Sequence, residues 1–476
     1  MSIQVVPVTA SDVAKILNLD EAHFSDLKSV DIAPGKLTKT IAAFANADGG
    51  ELYVGIDEVD KGKKIRKWRG FPDPEAANGH IQSFETLFPL GQDYVYEFLE
   101  SPTPGDGLVL HVTIQKTREI AKGSDGKVYV RRGAQSIPYT SPADLERLSR
   151  NKGITSFETA TVSAPIDSIS NSETIIKFML DVVPSAEPLP WLKKQLLIHE
   201  GKPTVAAVLL FSDEPQAALP KRSAIKIYRY KTSDAQGSRE NLDFDPITVE
   251  GCLYDQIQES VQKTSEIIEQ VRILGPQGLE SITYPFVTLH EIITNSVLHR
   301  DYGIADDVHV RVYDNRVEVE SPGRLPAHIT ESNILDERFA RNGTIVRLIN
   351  KFPDPPNKDV GEGLNTAFTA MKKLKLRDPI IRQTETSVLV EIRHQKLGTP
   401  EELIMEWLES HPEITNKRVR ELTGIGSENE VKRIFLRLAA ANQIERVPGK
   451  GGGSAAWQKV VKEPDDEVGP PGESPS

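Results

Sequence analysis

The stretch LHEIITNSVLHRDY, residues 289–302, decides how the rest of the chain is interpreted. If this stretch is helical, Glu291, Asn295 and His299 fall four residues apart and share one face. Packing gives no reason to align a carboxylate, a carboxamide and an imidazole, whereas a metal-bound nucleotide can use all three. The Asn295 amide oxygen suits Mg²⁺, and Glu291 could orient or deprotonate a water. A solvated helix face fits the same pattern, so this helix alone leaves both interpretations open.

The composition is that of an ordinary multidomain protein. The chain has 476 residues, 38% hydrophobic and 26% charged, and such a length predicts about three domains. It has no apolar run near the roughly 20 residues that cross a bilayer, and its amino terminus lacks a basic-then-apolar signal. We therefore expect a cytoplasmic protein with no membrane partner. The single cysteine, Cys252, excludes an intrachain disulfide and a cysteine-based zinc cluster.

Two basic patches are the candidates for nucleic-acid contact in the first part of the chain. The net charge of -12 argues against a surface coated with cations, so nucleic acid would have to bind local patches. One patch is KGKKIRKWR (61–69), and the other lies between residues 116 and 132. A basic run beside a turn is also compatible with a solvated loop. The candidate contact residues are Lys64, Arg66, Lys67, Arg131 and Arg132.

The pattern of residues 1–150 predicts one small α+β domain. Helices are expected at 9–17, 36–47 and 142–149, and strands at 51–57, 94–99, 109–115 and 128–131. Within residues 21–28, an acidic residue is followed by four residues, a second acidic residue, any residue and lysine. AFANADGGELYVGID (43–57) comes next. These motifs resemble the Schlafen-type AlbA domain over most of the first 140 residues.

The resemblance implies a domain that binds DNA or RNA and, in some members, a metal-dependent nuclease with three carboxylates. Glu21, Asp26 and either Asp57 or Glu58 would be those carboxylates around one or two divalent ions, and Lys28 matches the family lysine. Asp26 stands where glutamate is usual, which shortens the reach by one methylene and weakens the case for cleavage more than for binding. Without a metal, Asp26 and Lys28 would pair across a strand.

The middle of the chain, residues 155–395, is predicted to be a second domain. Residues 151–172 are rich in serine and threonine and are predicted to form a linker. The continuous apolar run TVAAVLLF (204–211) is predicted to be a buried strand, with a partner strand at 224–230.

Further along, glycines stand where a phosphate could approach the backbone. A hairpin is expected within residues 308–320, and SPGRLP (321–326) ends its second strand. Gly361 and Gly363 come just before a helix predicted at 364–374. Free backbone N–H groups at a helix start, together with the helix dipole, favour an anion there.

This order of parts resembles the GHKL ATPase fold, in the variant similar to the carboxy-terminal part of a RecG-type helicase. HRDY, SPGRLP, ARNG and GEG carry the resemblance. It implies an α/β sandwich that binds ATP and Mg²⁺, and it leaves open whether ATP is hydrolysed. It also implies a homodimer or higher homo-oligomer, because nucleotide-driven closure in that superfamily commonly acts through pairs of subunits.

The resemblance implies roles for individual residues. Asn295 would coordinate Mg²⁺, Glu291 would position water, and His299 would share their face toward the nucleotide. Gly361 and Gly363 would cradle the phosphates.

The remaining implied contacts are with adenine and the nucleotide lid. The turn from Ser321 to Gly323 would approach adenine, and Arg341 and Asn342 would line the lid. GHKL enzymes generally use an aspartate to accept the adenine amino group, whereas this turn begins with Glu320 and Ser321. A serine hydroxyl accepts that hydrogen bond more weakly, so selectivity for adenine would be relaxed.

Residues 398–460 are predicted to be an all-α module with a hairpin that resembles a winged helix-turn-helix. Its third helix would enter the major groove and its wing would contact the DNA backbone. Glu428 and Glu430 in the first turn of that helix oppose this role, and winged helices also serve as dimerisation modules. Residues 461–476 are predicted to be a disordered acidic tail. The candidate DNA contacts are Arg418, Arg420, Lys432, Arg433 and Arg437.

The sequence thus predicts an α+β multidomain protein: a Schlafen AlbA-like domain, a GHKL-type domain and a winged helix. The hypothesis is an ATP- and Mg²⁺-binding regulator, such as a transcription regulator, in which nucleotide controls contact with DNA or RNA. The alternative is an ATP-regulated, metal-dependent RNase or DNase that acts in defence against foreign genomes such as those of phages. A scaffold whose glycine loops bind nothing is a third possibility.

Overall fold

The computed structural model describes residues 4–60, 65–87, 93–219, 222–275, 278–281, 284–356, 363–374, 376–393, 400–423, 425, 427–448, 450 and 455–460. The chain divides into two units. The first comprises Met1–Ala367 and Ile380–Glu391, and the second comprises Phe368–Pro379 and Ile392–Ser476. Within the described ranges, no helix is both long enough and apolar enough to cross a membrane.

The first unit begins with a five-stranded mixed sheet of order β1-β6-β7-β3-β2, against which helix α2 buries its apolar residues. The helices are α1 Ala10–Leu17, α2 Pro34–Asn46, α3 Asn78–Leu87 and α4 Pro142–Asn151. The strands are β1 Val5–Pro7, β2 Ser25–Lys28, β3 Gly50–Val54, β4 Ile56–Asp60, β5 Ile65–Trp68, β6 Tyr94–Glu100, β7 Leu108–Ile114, β8 Val128–Arg132 and β9 Gln135–Tyr139.

The strand predicted at 51–57 is divided in two at Gly55. Gly55 has a φ of +130°, and a Cβ there would lie 3.1 Å from the Cα of Gly70. Beyond this point β4 leaves the five-stranded sheet and pairs with β5 in a separate hairpin. Asp57 therefore lies on a different sheet from Asp26.

The rest of the first unit is built on a six-stranded sheet of order β13-β12-β16-β17-β19-β18, against which helices α10 and α11 pack. The helices are α5 Asp167–Ser170, α6 Glu173–Val182, α7 Pro188–Lys194, α8 Val205–Phe211, α9 Pro215–Ala218, α10 Leu253–Glu269, α11 Phe286–Leu298, α12 Gly343–Ile349 and α13 Gly363–Lys373, of which α13 passes into the second unit at Phe368. The strands are β10 Ile198–His199, β11 Lys202–Pro203, β12 Ile225–Arg229, β13 Ile247–Val249, β14 Arg272–Gly275, β15 Gly278–Ser281, β16 Val308–Val312, β17 Arg316–Pro322, β18 Ile380–Gln383 and β19 Ser387–Arg393.

The strand predicted at 204–211 is wrong, because this run forms helix α8. All seven residues of α8 are buried, so no polar positions interrupt the run. Without them the sequence shows neither the helical nor the strand period. Thr204 decides between the two, since its hydroxyl accepts a hydrogen bond of 3.2 Å from the N–H of Ala207 and caps the helix.

The linker predicted at 151–172 is also wrong, because this segment is packed into the unit. Glu158 is only 4% exposed. Its carboxylate accepts hydrogen bonds of 2.9 Å from the N–H groups of Thr344 and Ile345, at the start of α12. Burial raises the pKa of this carboxyl group, although the two N–H donors oppose the shift.

We expect Glu158→Gln to lower the free energy of unfolding by about 1–2 kcal/mol, because the amide has one acceptor oxygen and the N–H groups of Thr344 and Ile345 each use one. The measurement is chemical denaturation of the full chain. Glu173→Gln is the control, since Glu173 is exposed in the first turn of α6. Equal stability of the two variants would show that Glu158 does not act as a cap.

Among its described residues from Pro400 onward, the second unit forms three helices and a small antiparallel sheet of order β20-β22-β21. Apolar residues of all three helices and of strands β20 and β21 share one core. The elements are α14 Pro400–Ser410, β20 Ile414–Thr415, α15 Asn416–Thr423, α16 Glu428–Ala440, β21 Ile444–Arg446 and β22 Ala456–Lys459. The α+β multidomain class is confirmed, and the winged helix stays a prediction.

Candidate functional site

One cavity of about 530 Å³ lies in the first unit between helix α11, the end of strand β17 and the start of helix α13. Its walls include the apolar side chains of Val319, Ile381 and Val388. The cavity brings together six of the residues that the sequence proposed for a nucleotide, namely Glu291, Asn295, His299, Ser321, Gly323 and Gly363. A volume of this size lies in the range of about 300–1,000 Å³ that small-molecule sites occupy.

Glu291 and Asn295 stand one turn apart on α11 and contact each other in the cavity. The Asn295 Nδ2 donates a hydrogen bond of 2.9 Å to Glu291 Oε1, so the amide oxygen is the atom of Asn295 that is left for a cation. Burial raises the pKa of the Glu291 carboxyl group, while the hydrogen bond from Asn295 opposes that shift. The pair thus offers a hard oxygen ligand beside a carboxylate that takes up a proton more readily than usual.

The Glu291 carboxylate lies directly against Gly363, the first residue of α13. A Cβ at Gly363 would stand 1.7 Å from Glu291 Oε1 and 2.3 Å from its Cδ, so a side chain at 363 would displace the carboxylate. The amino-terminal end of α13 therefore borders the cavity, and helix starts favour negative charge. Gly361 lies outside the described residues.

Ser321 is held in one orientation at the end of β17. Its hydroxyl donates a hydrogen bond of 2.6 Å to the carbonyl of Ser296, which leaves the oxygen lone pairs to accept. The neighbouring carboxylate of Glu320 accepts from Ser387 Oγ at 2.7 Å and pairs with Arg311 at 2.7 Å. Although burial acts in the opposite direction, these two partners hold the pKa of Glu320 below its usual value.

Gly323 is explained by packing against the HRDY turn. It has a φ of +108°, and a Cβ there would lie 2.8 Å from the Cβ of Asp301. Asp301 is buried and accepts a hydrogen bond of 2.8 Å from the N–H of Gly303, while Arg300 is only 1% exposed and donates to backbone carbonyls. The Arg-Asp pair of HRDY therefore serves the structure of the turn.

His299 lines the cavity as a neutral imidazole. Burial, together with the nearby Arg341 cation, lowers its pKa to about 4. Its Nδ1 is buried and has no hydrogen-bond partner within the described part of the chain. At neutral pH His299 can donate or accept a hydrogen bond but adds no charge.

Arg341 and Asn342, which the sequence placed in a nucleotide lid, are buried in the structure. Arg341 donates to the carbonyls of Arg150, at 3.0 Å, and Arg324. Asn342 donates at 2.9 Å to the carbonyls of Leu298 and Arg300. Asn342 thus supports the backbone at the HRDY turn, and Arg341 supports the backbone at residues 150 and 324.

Two other arginines line the cavity and were missed by the sequence reasoning. Arg338 is exposed and lies three residues before Arg341. Arg324 belongs to the SPGRLP segment and lines the same cavity. Arg324 stands inside the SPGRLP motif, whereas Arg338 lies two residues before the ARNG motif (340–343), and only the fold shows that Arg338 rather than Arg341 faces the cavity.

The acidic residues proposed for a nuclease are not gathered into a three-carboxylate cluster. Asp26 is 2% exposed, and Arg131 pairs with its Oδ2 at 2.9 Å while Lys28 contacts its Oδ1. Asp57 lies on the β4–β5 hairpin, 3.5 Å from Arg69. Across the described residues, no set of three or more histidine, cysteine, aspartate or glutamate side chains is arranged to hold a metal ion.

The nucleic-acid contacts proposed for the basic patches at 61–69 and 116–132 fall into two groups. Some of these side chains hold the fold together, and others are exposed. Arg131 is buried in the pair with Asp26, and Arg66 donates to backbone carbonyls at the end of α1. Lys67 and Arg132 are exposed, and Arg132 pairs with Glu385 at the surface. Lys64 lies outside the described residues.

In the second unit, most of the proposed contacts are at the surface. Arg420, Lys432, Arg433 and Arg437 are exposed. Lys432 lies 3.0 Å from Glu428, and Arg437 lies 2.5 Å from Glu401, so part of this positive charge is neutralised. The Arg418 guanidinium stands 4.3 Å from the ring centre of Trp407.

Comparisons with known proteins match two parts of the chain. Residues 21–140 match the family model "Schlafen, AlbA_2", and residues 305–392 match "Putative ATP-dependent DNA helicase recG C-terminal". Helix α11, with Glu291 and Asn295, precedes the second matched range. No curated protein matches the chain significantly.

Two solved structures are similar to the chain at low identity. The crystal structure of the DIP2311 protein from Corynebacterium diphtheriae is 18% identical, with a TM-score of 0.41, and the match covers 94% of this chain and 96% of that chain. The solution NMR structure of the N-terminal domain of a RecG-related protein from Nitrosomonas europaea is 22% identical, with a TM-score of 0.22. That match covers 28% of this chain and 92% of the other.

The family models confirm two of the three resemblances drawn from the sequence, and the winged helix-turn-helix stays a prediction. Residues 21–140 are thus similar to the AlbA_2 domain of the Schlafen type, and residues 305–392 are similar to the carboxy-terminal domain of the RecG type.

Proposed function

We propose that the cavity binds ATP with Mg²⁺ and that the chain is a regulator whose contact with nucleic acid depends on this nucleotide. The observation that carries the proposal is the Glu291–Asn295 pair, which faces the first residue of α13 within one cavity of about 530 Å³. A metal ligand, a candidate base and a helix start are the parts that a metal-bound nucleotide requires.

The chemistry of the donor groups fits this ligand. The Asn295 amide oxygen would hold Mg²⁺, which would supply charge neutralisation for the phosphates. Glu291 would orient water, and its raised pKa suits a group that receives a proton. The start of α13 and the exposed Arg338 would face the phosphates.

Other residues of the cavity lining suit a purine base. Val319, Ile381 and Val388 offer apolar contact, as is typical of small-molecule sites. Ser321 has its proton committed to Ser296, so its oxygen would accept a hydrogen bond from the adenine amino group. A single hydroxyl acceptor favours adenine less strongly than an aspartate would.

Nucleic acid is the second proposed partner. The AlbA_2 domain supports this proposal, as does the name of the RecG-type family, which refers to a DNA helicase. With a net charge of -12, binding would rest on exposed cations such as Lys67, Arg132 and Arg433. A homodimer, implied by the GHKL resemblance, remains part of the proposal.

Metal-dependent cleavage of nucleic acid is less well supported. Both carboxylate oxygens of Asp26 are engaged by cationic side chains, and Asp57 lies on a different sheet. A nuclease site would require Asp26 to exchange the buried Arg131 for a metal ion.

The first experiment compares two glycines that each begin a helix. We expect Gly363→Ala to weaken Mg·ATP binding about 10-fold with little change in stability, because the new Cβ displaces the Glu291 carboxylate. Gly343→Ala, at the start of α12, is the matched control, since a Cβ there would meet no atom within 4 Å among the described residues. Equilibrium binding of labelled ATP and thermal unfolding are measured on both. Equal affinities of the two variants would contradict the proposed role of Glu291.

A further inference from the structure

The carboxylate of Asp48 connects the AlbA_2 domain to the wall of the cavity. Its Oδ2 lies 2.7 Å from His23 Nε2 and contacts the guanidinium of Arg324. Its Oδ1 accepts a hydrogen bond of 3.0 Å from Gln383 and lies 3.6 Å from the Lys116 ammonium. Asp48, His23 and Lys116 belong to the AlbA_2 range, whereas Arg324 and Gln383 belong to the RecG-type range.

The same group of side chains fixes the main chain of the cavity wall. Lys116 Nζ donates to the carbonyls of Leu325 at 2.8 Å and Ile329 at 3.1 Å. Gln383 accepts a hydrogen bond of 2.8 Å from the N–H of Leu325. Arg324, Leu325 and Ile329 all line the cavity, so side chains from the AlbA_2 domain hold one of its walls.

The charges in this group are interdependent because they are buried. The Asp48 side chain is 9% exposed and that of Lys116 is 6% exposed. Despite burial, His23, Arg324 and Lys116 hold the pKa of Asp48 well below its usual value. Burial lowers the pKa of Lys116 to about 8, and the Arg324 charge adds to this shift. Without Asp48, the Arg324 and Lys116 cations would repel each other with no carboxylate between them.

We propose that Asp48 is a positioning residue of the nucleotide site, which holds the Arg324 guanidinium and the wall from Arg324 to Ile329 in place for the triphosphate. This inference rests on the proposed nucleotide function and adds that the AlbA_2 domain completes the site. Asp48 is separated from Arg324 by 276 positions in sequence. By linkage, a ligand of the AlbA_2 domain that shifts Asp48 changes the affinity for ATP, and ATP changes the affinity for that ligand by the same factor.

The test measures the binding of labelled ATP, with Mg²⁺, and of adenosine to the full chain and its variants. Asp48→Asn is expected to weaken ATP binding by about 10-fold. Adenosine binding should change much less, because only the triphosphate is attracted to the Arg324 cation. Asp125→Asn is the matched control, since Asp125 lies in the same domain and contacts Tyr129 and Lys39. It should leave both affinities unchanged.

A double-mutant cycle distinguishes positioning from a general structural role. Because part of the effect of Asp48 passes through Arg324, Asp48→Asn should lower ATP affinity less in the Arg324→Gln background than in the wild type. Additive losses would overturn the inference. If Asp48→Asn does not fold, Gln383→Leu replaces it, because Gln383 bridges Asp48 and Leu325 without a charge; wild-type affinity in that variant would overturn the inference.

The two proposals fail in different ways. Absence of ATP binding to the wild type removes the proposed function together with this inference. Wild-type binding that Asp48→Asn leaves intact removes only the role of Asp48, and the cavity remains a nucleotide site.

Discussion

Replacing Asp26 with alanine is expected to lower the free energy of unfolding by about 3–5 kcal/mol, because a buried cation loses its partner. Arg131 is only 1% exposed at its side chain and pairs with Asp26 Oδ2 at 2.9 Å. It also stands 4.8 Å from the ring centre of Phe44 and donates to the carbonyl of Ser25 at 3.1 Å. Those contacts remain in the variant and keep the uncompensated guanidinium buried.

The measurement is chemical denaturation of the full chain. Asp125→Ala is the control, because the side chains of Asp125 and its partner Lys39 are 32% and 48% exposed, and its loss should stay below about 1 kcal/mol. A similarly small loss for Asp26→Ala would mean that the Asp26–Arg131 pair is dispensable, and Asp26 would then be available for a metal ion. If the loss is as large as expected, an Asp26 variant can lose nuclease activity simply because it unfolds. Its folding must therefore be measured before the loss of activity is attributed to a metal ligand.

Replacing Asn295 with alanine is expected to weaken binding of Mg·ATP by about 10- to 100-fold. The Asn295 amide oxygen is the proposed ligand of Mg²⁺, and its Nδ2 also holds Glu291 by the 2.9 Å hydrogen bond. Both functions are lost with the side chain. Binding of ATP without Mg²⁺ should change much less, since no metal ligand is used there. The measurement is equilibrium binding of labelled ATP with and without Mg²⁺.

Asn295→Asp is the conservative control for this prediction. A carboxylate keeps an oxygen ligand for Mg²⁺ at the same position on α11, so binding should still depend on Mg²⁺. If the alanine and aspartate variants bind Mg·ATP as the wild type does, Asn295 is not a metal ligand. A loss that is equal with and without Mg²⁺ would instead indicate a role in packing.

The helical spacing of Glu291 and Asn295 could be interpreted from sequence because it depends on local geometry alone. Residues four apart on a helix share a face whatever surrounds them, and α11 spans Phe286–Leu298. The glycine at the start of α13 could be predicted from sequence in the same way, and Gly363 is the first residue of that helix. What the sequence did not show is that the Glu291 carboxylate fills the space beside Gly363.

The wrong or missing predictions concern residues whose structure depends on burial or on contacts between distant parts of the chain. The run 204–211 is apolar throughout, so periodicity could not separate strand from helix. Glu158 looked like a linker residue because its partners, Thr344 and Ile345, lie 186 and 187 positions away. Asp48 was overlooked for the same reason, because its carboxylate meets Arg324 and Gln383 only in the folded chain.

The misplacement of Arg341 has a similar cause. Within RFAR (338–341), arginines three residues apart differ in environment: Arg338 borders the cavity, whereas Arg341 is 4% exposed and donates to backbone carbonyls. The motif that carries the family resemblance, ARNG, contains Arg341 but not Arg338. The orientation of each side chain depends on its packing against residues outside the motif.

The most direct test of the central claim is photoaffinity labelling of the full chain with azido-ATP, followed by mass spectrometry of the labelled peptides. The result expected is Mg²⁺-dependent labelling of segments that line the cavity, at 287–299, 319–329 or 381–390, which excess ATP prevents. Labelling that ATP prevents but that falls only on segments outside the cavity would contradict the claim, as would labelling that ATP does not prevent.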